Sequence, residues 1–370
     1  MSALDHTALM QAALDQARLA VGLTEPNPRV GCVLTAADGR VIGLGHTQQA
    51  GGPHAEVMAL RDAQQRGESV RGATVFVTLE PCAHHGRTPP CCDALIAAGV
   101  GRVVIAVQDP FPLVAGQGAA RLRAAGIEVI DGPLHDAARE LNIGFFSRVE
   151  RSRPWVRLKV AVSLDGRSAL PDGTSQWITG SAARADGHAF RKRASAVLTG
   201  VGTVREDNPR LDVRLVETPR QPLRVIVDSR LETPPDARIL PAPGAVLICA
   251  ANDDATRAAA LRAQGAEIAF VPGPGNKVDL AAMLTDLAQR GVNELHIEAG
   301  HRLNGSFVRS GLVDEYLVYM APRLLGSGRD LAAFGPLASL ADAVALRFTE
   351  VTTIGEDLRL LARPVHADWP

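Results

Sequence analysis

Short apolar, β-branched runs recur along this chain with helical patterns between most of them, and that alternation leaves few architectures open. Val30–Leu34, Val41–Gly45, Thr74–Leu79, Val103–Val107 and Ile127–Ile130 read as strands. An N-terminal helix is marked by Met10, Ala13, Leu14 and Ala17. Further helices follow Pro53, carry Ala94, Leu95, Ile96 and Ala98, and span Gly118–Ala125. Strands separated by single helices predict crossover units and a sheet covered on both faces. The charged, proline-terminated stretch Arg148–Pro154 interrupts the pattern, and a second alternation follows. Its strands are expected at Val156–Ser163, Ala196–Thr199, Leu223–Asp228, Ala245–Cys249, Glu267–Phe270, Glu294–Glu298 and Asp314–Met320. Its helices are expected at Ser181–Arg193, Ala255–Gln264, Asp279–Arg290 and Leu303–Ser310. No residue motif is shared by the two halves, so no internal repeat is indicated. The expectation is two α/β domains in tandem, residues 1–148 and 152–370.

Composition narrows the function classes. At 370 residues, 46% apolar and 21% charged, the chain can bury a large core. Lys+Arg 39 against Asp+Glu 40 leaves a net charge of −1 with no long run of either sign. That balance speaks against a dedicated nucleic-acid or anionic-membrane binder, because neutralising phosphates needs a basic field. No uninterrupted apolar stretch approaches the ~20 residues needed to cross a bilayer. Asp5, His6, Asp15 and Arg18 break up any signal-like N-terminal segment. Five cysteines, an odd number in a long chain, do not read as a disulfide framework. A cytoplasmic protein is expected.

The chemistry is concentrated in His54-Ala55-Glu56 and in Pro81-Cys82-Ala-His-His-Gly-Arg-Thr-Pro-Pro-Cys91. One imidazole and two thiolates suit tetrahedral zinc and leave one position open. A structural zinc would be closed by a fourth protein ligand, and Cys92, Cys32, His84 and His85 are candidates for it. Cys92 adjoins Cys91 on a predicted helix and should point roughly 100° away. The two histidines in the loop are not excluded by geometry. Glu56 supplies what a catalytic site needs, a carboxylate that moves a proton from water to a leaving group. In a helix interior, residues i and i+2 diverge by about 200°. His54 and Glu56 can therefore share a site only where a helix begins, and Pro53 suits such a start. Pro89-Pro90 likewise put Cys91 and Cys92 at the opening of the next helix. Two helix N-termini aimed at one point favour thiolates and hydroxide, each by ~0.3–1 kcal/mol for a typical exposed charge. Taken singly, a capping histidine and two buried cysteines are ordinary structural residues; the joint pattern, with proline before each pair, is not.

The H-x-E…P-C pattern resembles the zinc-dependent base deaminases, although eight residues separate the cysteines here where two are usual. In this form the stretch is similar to the pyrimidine deaminase of riboflavin synthesis, as are Thr24-Glu-Pro-Asn-Pro-Arg-Val-Gly-Cys-Val33 and Gly45-His46. Leu141-Asn-Ile-Gly-Phe145 and Lys159-Val-Ala-Val-Ser-Leu-Asp-Gly166 are similar to the bifunctional deaminase–reductase family of that route. The resemblance covers nearly the whole chain. Phe111, in Asp109-Pro-Phe-Pro112, departs from it where asparagine is common.

The resemblance implies a cytidine-deaminase-like α/β/α domain followed by a dihydrofolate-reductase-like α/β domain, with Zn2+ in the first and NADPH in the second. It implies hydrolytic deamination of 2,5-diamino-6-(5-phosphoribosylamino)pyrimidin-4-one, then reduction of the ribosyl group of the resulting aminouracil to ribityl. The expected partners are these small pyrimidine ribotides, with neither nucleic acid nor membrane. His54, Cys82 and Cys91 are then metal ligands and Glu56 the catalytic group, with Asn27, His46 and Arg87 as substrate contacts. Asparagine offers donors and acceptors to a base edge, and arginine can meet a phosphate. Asn27, between two prolines, also reads as a turn residue, and Arg87 as a solvated loop charge.

The second half is less explicit. Thr199-Gly-Val-Gly-Thr203 follows a strand, but Arg205 stands where a third glycine would complete a dinucleotide fingerprint. Glu298-Ala-Gly300-His-Arg-Leu-Asn-Gly305-Ser306 also follows a strand and precedes a helix. Such turns can present N–H groups to phosphates, and they are also ordinary tight α/β turns. The resemblance implies cofactor positions at Ala161, Trp177, Thr203, Asp207, Gly300, His301, Arg302, Leu303, Asn304, Gly305 and Ser306. It implies reductase substrate positions at Ser175, Arg191, Leu211, Arg214 and Glu298. Two arginines suit a substrate that still carries a phosphate; in isolation each reads as surface charge, and Trp177 equally as core. Hydride transfer leaves negative charge on nitrogen or oxygen, and either Lys159 or Asp207 could organise the proton donor. Asp165-Gly166 reads as a turn.

Three other classes are consistent with parts of the pattern. One is a nucleic-acid editing deaminase, against which near-neutral charge and the long cysteine gap both speak. Another is a zinc-stabilised scaffold without turnover, which requires a closed metal site. The third is a deaminase with an inactive second domain, which both glycine turns and both arginines argue against. Exposed sheet edges in the second domain leave a homo-oligomer open.

Overall fold

Residues 5–84, 89–112 and 115–365 are described by a computed structural model, in which the chain divides into two units, Met1–Ser152 and Arg153–Pro370. The first unit holds a five-stranded sheet. Strand Gly31–Thr35 pairs antiparallel with Val41–His46 on one side and with Thr74–Val77 on the other. Arg102–Ile105 and Glu128–Asp131 extend the sheet in parallel. The crossover connections expected throughout thus begin only at Thr74–Val77. The first two strands form a hairpin, whose turn is closed by Ala36 N–H donating to Arg40 O at 2.9 Å.

Glycine and alanine decide how the helices sit on this sheet. Ala55, Ala59 and Ala63 line one face of helix Ala55–Gln65 and are fully buried. A Cβ added at Gly43 would lie 2.4 Å from Ala59 O, and one at Gly45 2.3 Å from Ala55 O. Only glycine permits so close a backbone approach, and it pins the first turn of this helix to the end of strand Val41–His46. Met10, Ala13, Leu14 and Ala17 of helix His6–Leu19 are buried, as their spacing predicts. The charge at Arg148–Arg151 belongs to the last turns of helix Ile143–Arg151, whose Phe145 and Phe146 are buried. Reading that charge as an interruption concealed the helix.

The second unit carries a nine-stranded sheet. Its order is Glu267–Phe270, Val246–Ala250, Leu223–Val227, Ala196–Gly200, Glu294–Ile297, Trp155–Ser163, Glu315–Ala321, Asp357–Pro364 and Leu346–Ile354. The first seven run parallel. The last two form an antiparallel hairpin that the sequence pattern did not reveal. Residues 346–349 are all exposed, so polar and apolar side chains do not sort between two faces there. Alternate residues of the central strands feed two cores. Leu198, Val225 and Leu247 pack with Met283, Leu284, Leu287 and Phe307, whereas Val197, Ile226 and Ile248 pack with Ala258 and Leu261. The chain enters at Trp155–Ser163, skips a place to Ala196–Gly200, and later fills the gap with Glu294–Ile297. Such a change in strand order opens a crevice at the carboxyl ends of parallel strands.

Candidate active sites

In the first unit, His54 is the N-cap of helix Ala55–Gln65 (φ −80°, ψ 170°), and Glu56 is buried in its first turn. This is the helix-start geometry that the two-residue spacing requires. Cys82 follows strand Thr74–Val77, and Cys91 opens helix Cys91–Ala98 behind Pro90. His54 Nδ1 lies 3.7 Å from Cys82 Sγ and 3.2 Å from Cys91 Sγ, and the three atoms are within 4.8 Å of one another. One imidazole nitrogen and two sulfurs at these separations fit a single tetrahedral zinc. Cys92 turns away, its Sγ donating to Pro81 O at 3.3 Å and Gly118 O at 3.5 Å. Cys32 is buried within its strand, and the His84 ring packs 6.2 Å from Phe111. Among the described residues no fourth His, Cys, Asp or Glu joins the cluster; His85 and Arg87 lie outside those residues.

Burial raises the Glu56 carboxyl, and the neighbouring Cys82 sulfur adds to the rise. The hydrogen bond from Cys91 draws the Cys82 thiol down to about 4, while that same contact and burial push Cys91 up. The bond to Cys82 raises His54. Asn27 sits in a turn closed twice, by Asn27 N–H to Thr24 O at 3.0 Å and Thr24 Oγ1 to Asn27 O at 3.1 Å. His46 ends its strand opposite Gly31, and burial lowers its pKa. Gly31 exchanges two 3.1 Å hydrogen bonds with Thr78, four residues before Cys82. The chain around Asn27, His46 and Cys82 is thus gathered at one end of the sheet.

The second unit opens a cavity of about 640 Å³ at the carboxyl ends of its central strands. Lys159 and Ala161 line it from strand Trp155–Ser163, with Ser175 and Trp177 from the following loop and Arg191 from helix Ser181–Arg193. Thr203 and Asp207 line it from helix Val201–Asp207, and Leu211 and Arg214 from the segment beyond. Glu298, Gly300, His301 and Asn304 complete the wall around the start of helix His301–Arg309. Arg302, Leu303, Gly305 and Ser306 do not line it, because successive helical residues turn away from any one wall. Gly305 instead lets the helix meet another backbone, an added Cβ lying 2.0 Å from Ala333 O. Leu303 packs against Gly200, and Ser306 Oγ donates to Arg302 O at 3.2 Å. Trp177 is no core residue: it is 60% exposed, with the Arg184 guanidinium 4.6 Å from its ring centre.

Ion pairs hold this wall. Arg191 grips Glu298 with two nitrogens, at 2.5 and 3.0 Å, and donates a third bond to Asp212 O at 2.9 Å. Lys159 Nζ lies 3.7 Å and His296 Nε2 3.4 Å from the same carboxylate. Burial would raise Glu298, but Arg191 and Lys159 hold it well below the usual carboxylate range. Asp207 is raised by burial and by Glu206. The Arg214 side chain is 46% exposed and paired with Asp212 at 2.8 Å. Sequence reasoning passed over His188, Asp186 and Tyr319. His188 is buried beside Arg191 and Arg214, and burial and these charges lower its pKa to about 4. Tyr319 donates to Asp186 Oδ2 at 2.6 Å. Only the helical spacing of 188 and 191 hinted that His188 shares a face with Arg191.

Lys159, Arg184, Arg191, Arg210, Arg214, Arg238 and Arg329 face this cavity against three carboxylates, Glu206, Asp207 and Glu298. A basic cavity in the ~300–1,000 Å³ range of small-molecule sites fits phosphorylated ligands. Gly200 and Gly300 are the N-caps of helices Val201–Asp207 and His301–Arg309. A Cβ added at Gly300 would stand 3.5 Å from Thr203 Oγ1, so the two helix starts adjoin. Bare helix starts beside one another fit the phosphates of a dinucleotide.

Comparison with known proteins assigns both units. Residues 4–107 match the cytidine and deoxycytidylate deaminase zinc-binding region, and residues 154–360 match the RibD C-terminal domain. The chain is therefore a zinc-binding deaminase domain joined to a reductase domain. It is 43% identical over 364 residues to riboflavin biosynthesis protein RibD of Escherichia coli, covering 95% of this chain and 97% of that one. It is 39% identical over 355 residues to RibD of Mycobacterium tuberculosis, covering 95% of each chain. The solved structure of Acinetobacter baumannii RibD superimposes with a TM-score of 0.88 at 40% identity, over 97% of this chain and 98% of that one. A Thermotoga maritima diaminohydroxyphosphoribosylaminopyrimidine deaminase/5-amino-6-(5-phosphoribosylamino)uracil reductase does so at 0.87 and 34% identity, over 97% and 98%. The chain belongs to the RibD family, the bifunctional deaminase–reductases of riboflavin biosynthesis. Among the described residues no helix is long and apolar enough to cross a membrane.

Proposed function

We propose that residues 1–148 deaminate 2,5-diamino-6-(5-phosphoribosylamino)pyrimidin-4-one and that residues 152–370 reduce the ribosyl group of the resulting aminouracil to ribityl. The observation that carries this reading is the convergence of His54, Cys82 and Cys91 beside a buried Glu56, on a chain that also holds a basic strand-end cavity. Zinc held by those three side chains supplies Lewis-acid activation of water. Glu56 takes the proton from the attacking water and delivers it to the amine nitrogen, which leaves as ammonia, so the carboxylate is regenerated each turnover. Its buried, raised carboxyl suits that exchange. Asn27 and His46 orient the pyrimidine, and Arg87 meets its phosphate.

NADPH supplies the hydride for the second reaction. Ala161, Trp177, Thr203, Gly300, His301 and Asn304 hold it, while Arg302, Leu303, Gly305 and Ser306 shape the helix behind that wall. Ser175, Leu211 and Arg214 receive the ribotide. Arg191 is held in place by Glu298, so its free capacity toward a phosphate is directional. Lys159, kept beside Glu298, is positioned to give a proton to the atom on which negative charge develops, and Asp207 is the alternative donor. Leu346, Phe348 and Val351 are exposed on the edge hairpin and support assembly as a homo-oligomer. The setting is the cytoplasm. Incubation of the full chain with the diaminopyrimidine ribotide and NADPH should yield equimolar ammonia and oxidised cofactor. Ammonia without cofactor oxidation would contradict the second assignment, and the absence of ammonia would contradict the first.

A further inference from the structure

The Cys82 turn is fastened by a helix that contributes no candidate metal ligand. Glu80 stands two residues before Cys82 and is 4% exposed. Its carboxylate accepts N–H bonds from Gly116 and Ala119 at 3.0 Å and from Asp109 at 3.4 Å. Gly116 is the N-cap of helix Gln117–Ala124 and has no side chain with which to cap it. Glu80 takes that role from a distant part of the chain, satisfying helix-start N–H groups that would otherwise be orphaned. The same helix closes on the turn from two further sides. Gly118 admits the Pro81 carbonyl, whose oxygen would lie 2.0 Å from an added Cβ, and Arg121 donates to Ala83 O at 2.9 Å. Pro81, Cys82 and Ala83 are therefore clasped by contacts that converge on helix Gln117–Ala124.

We infer that Glu80 is a positioning residue of the deaminase metal site. Its carboxylate sets the pose of helix Gln117–Ala124, and that helix holds the Cys82 turn with Sγ in reach of His54 and Cys91. This rests on the proposed metal role of those three residues. Groups that orient metal ligands typically change metal affinity by about 10–100-fold when altered. Glu80→Gln keeps the shape but turns an NH2 toward N–H donors that it cannot accept from.

The test uses the zinc-loaded full chain and follows zinc release to a chromogenic chelator, together with the visible spectrum of the cobalt-substituted protein. Glu80→Gln should release zinc about tenfold faster or more and alter the thiolate-to-cobalt absorption. Arg121→Met, which loosens one edge of the clasp, should show a smaller change in the same direction. Val104→Ala, in the sheet core away from the turn, should lower the unfolding temperature yet release zinc at the wild-type rate. Wild-type release and spectrum from Glu80→Gln would overturn the inference, as would equally fast release from Val104→Ala. Should Glu80→Gln fail to fold, Arg121→Met decides, and wild-type release from it overturns the inference. A wild-type chain that holds no zinc would overturn the metal reading itself, which is a different failure.

Discussion

In the first unit the reactive groups hang from backbone features: an N-cap, a helix start behind proline, and a turn clasped by its neighbours, all with donor atoms inside 4.8 Å. In the second they are long charged side chains drawn from strands, helices and loops around a cavity of about 640 Å³. The first site is kept in shape by crowded backbone, where glycine meets alanine. The second is kept in shape by charges that neutralise one another, with Glu298 at the centre. A backbone-built site should lose chemistry without losing stability when a reactive group changes. A charge-built site should lose both together.

The largest expected effect follows from that contrast. Glu56→Gln should reduce ammonia release by about 10²–10⁴-fold while zinc content, unfolding temperature and reduction of the deaminated ribotide stay at wild-type levels. Retained turnover with zinc bound would remove Glu56 from the proton path. Arg191→Met should act differently, because it takes two hydrogen bonds from a mostly buried carboxylate. Breaking a buried pair costs about 3–5 kcal/mol, so the second unit's unfolding temperature and its kcat/KM should fall together, with ammonia release intact. A fall in kcat/KM alone would show that the charges around Glu298 are not what holds the wall.

Smaller effects separate the units by pH. Burial, opposed by the Phe111 N–H, raises Asp109 from the usual value near 4 to about 7. The folded state keeps a proton there that the unfolded chain loses, so this contribution is present below about pH 4 and is lost as pH rises toward 7. His188 is lowered from 6.5 to about 4, so its unfolded form binds the extra proton, and stability is lost as pH falls from about 6.5 toward 4. The stability of Asp109→Asn relative to wild type should therefore increase as pH rises across that window, and that of His188→Gln as pH falls. Calorimetric curves that run parallel to wild type would contradict both assignments. The smallest effect belongs to Trp177→Ala. On the proposed cofactor role, an exposed ring stacked by Arg184 should help hold NADPH but add little to stability, since surface changes stay within about 0.5 kcal/mol. A several-fold rise in the NADPH KM with an unchanged unfolding temperature is expected; a large drop in that temperature would make Trp177 structural after all.

The same contrast governs what could be read from the chain before folding. His54, Glu56, Cys82 and Cys91 occupy two short stretches, and the i, i+2 spacing already demanded a helix start. Cys92 pointing away followed from helical periodicity alone. Glu80 was invisible because its partners, Gly116 and Ala119, are backbone N–H groups a long way along the chain. In the second unit Lys159, Arg191 and Glu298 meet only because strand Glu294–Ile297 inserts between two strands formed from earlier sequence. No local spacing encodes that insertion. Of the run Gly300–Ser306, whose positions the resemblance assigns to cofactor, helical rotation turns only Gly300, His301 and Asn304 to the cavity, a selection that no glycine spacing marks. The edge hairpin escaped notice because its outer strand is exposed where alternation would have marked it.

The claim that two separable reactions reside on one chain is tested most directly by stripping zinc and scoring ammonia and NADPH separately. With the diaminopyrimidine ribotide, the stripped chain should form neither ammonia nor oxidised NADPH. Adding the deaminated ribotide should restore NADPH oxidation to the zinc-loaded rate. Ammonia release that survives the loss of zinc, or NADPH oxidation that the deaminated ribotide fails to restore, would contradict the account.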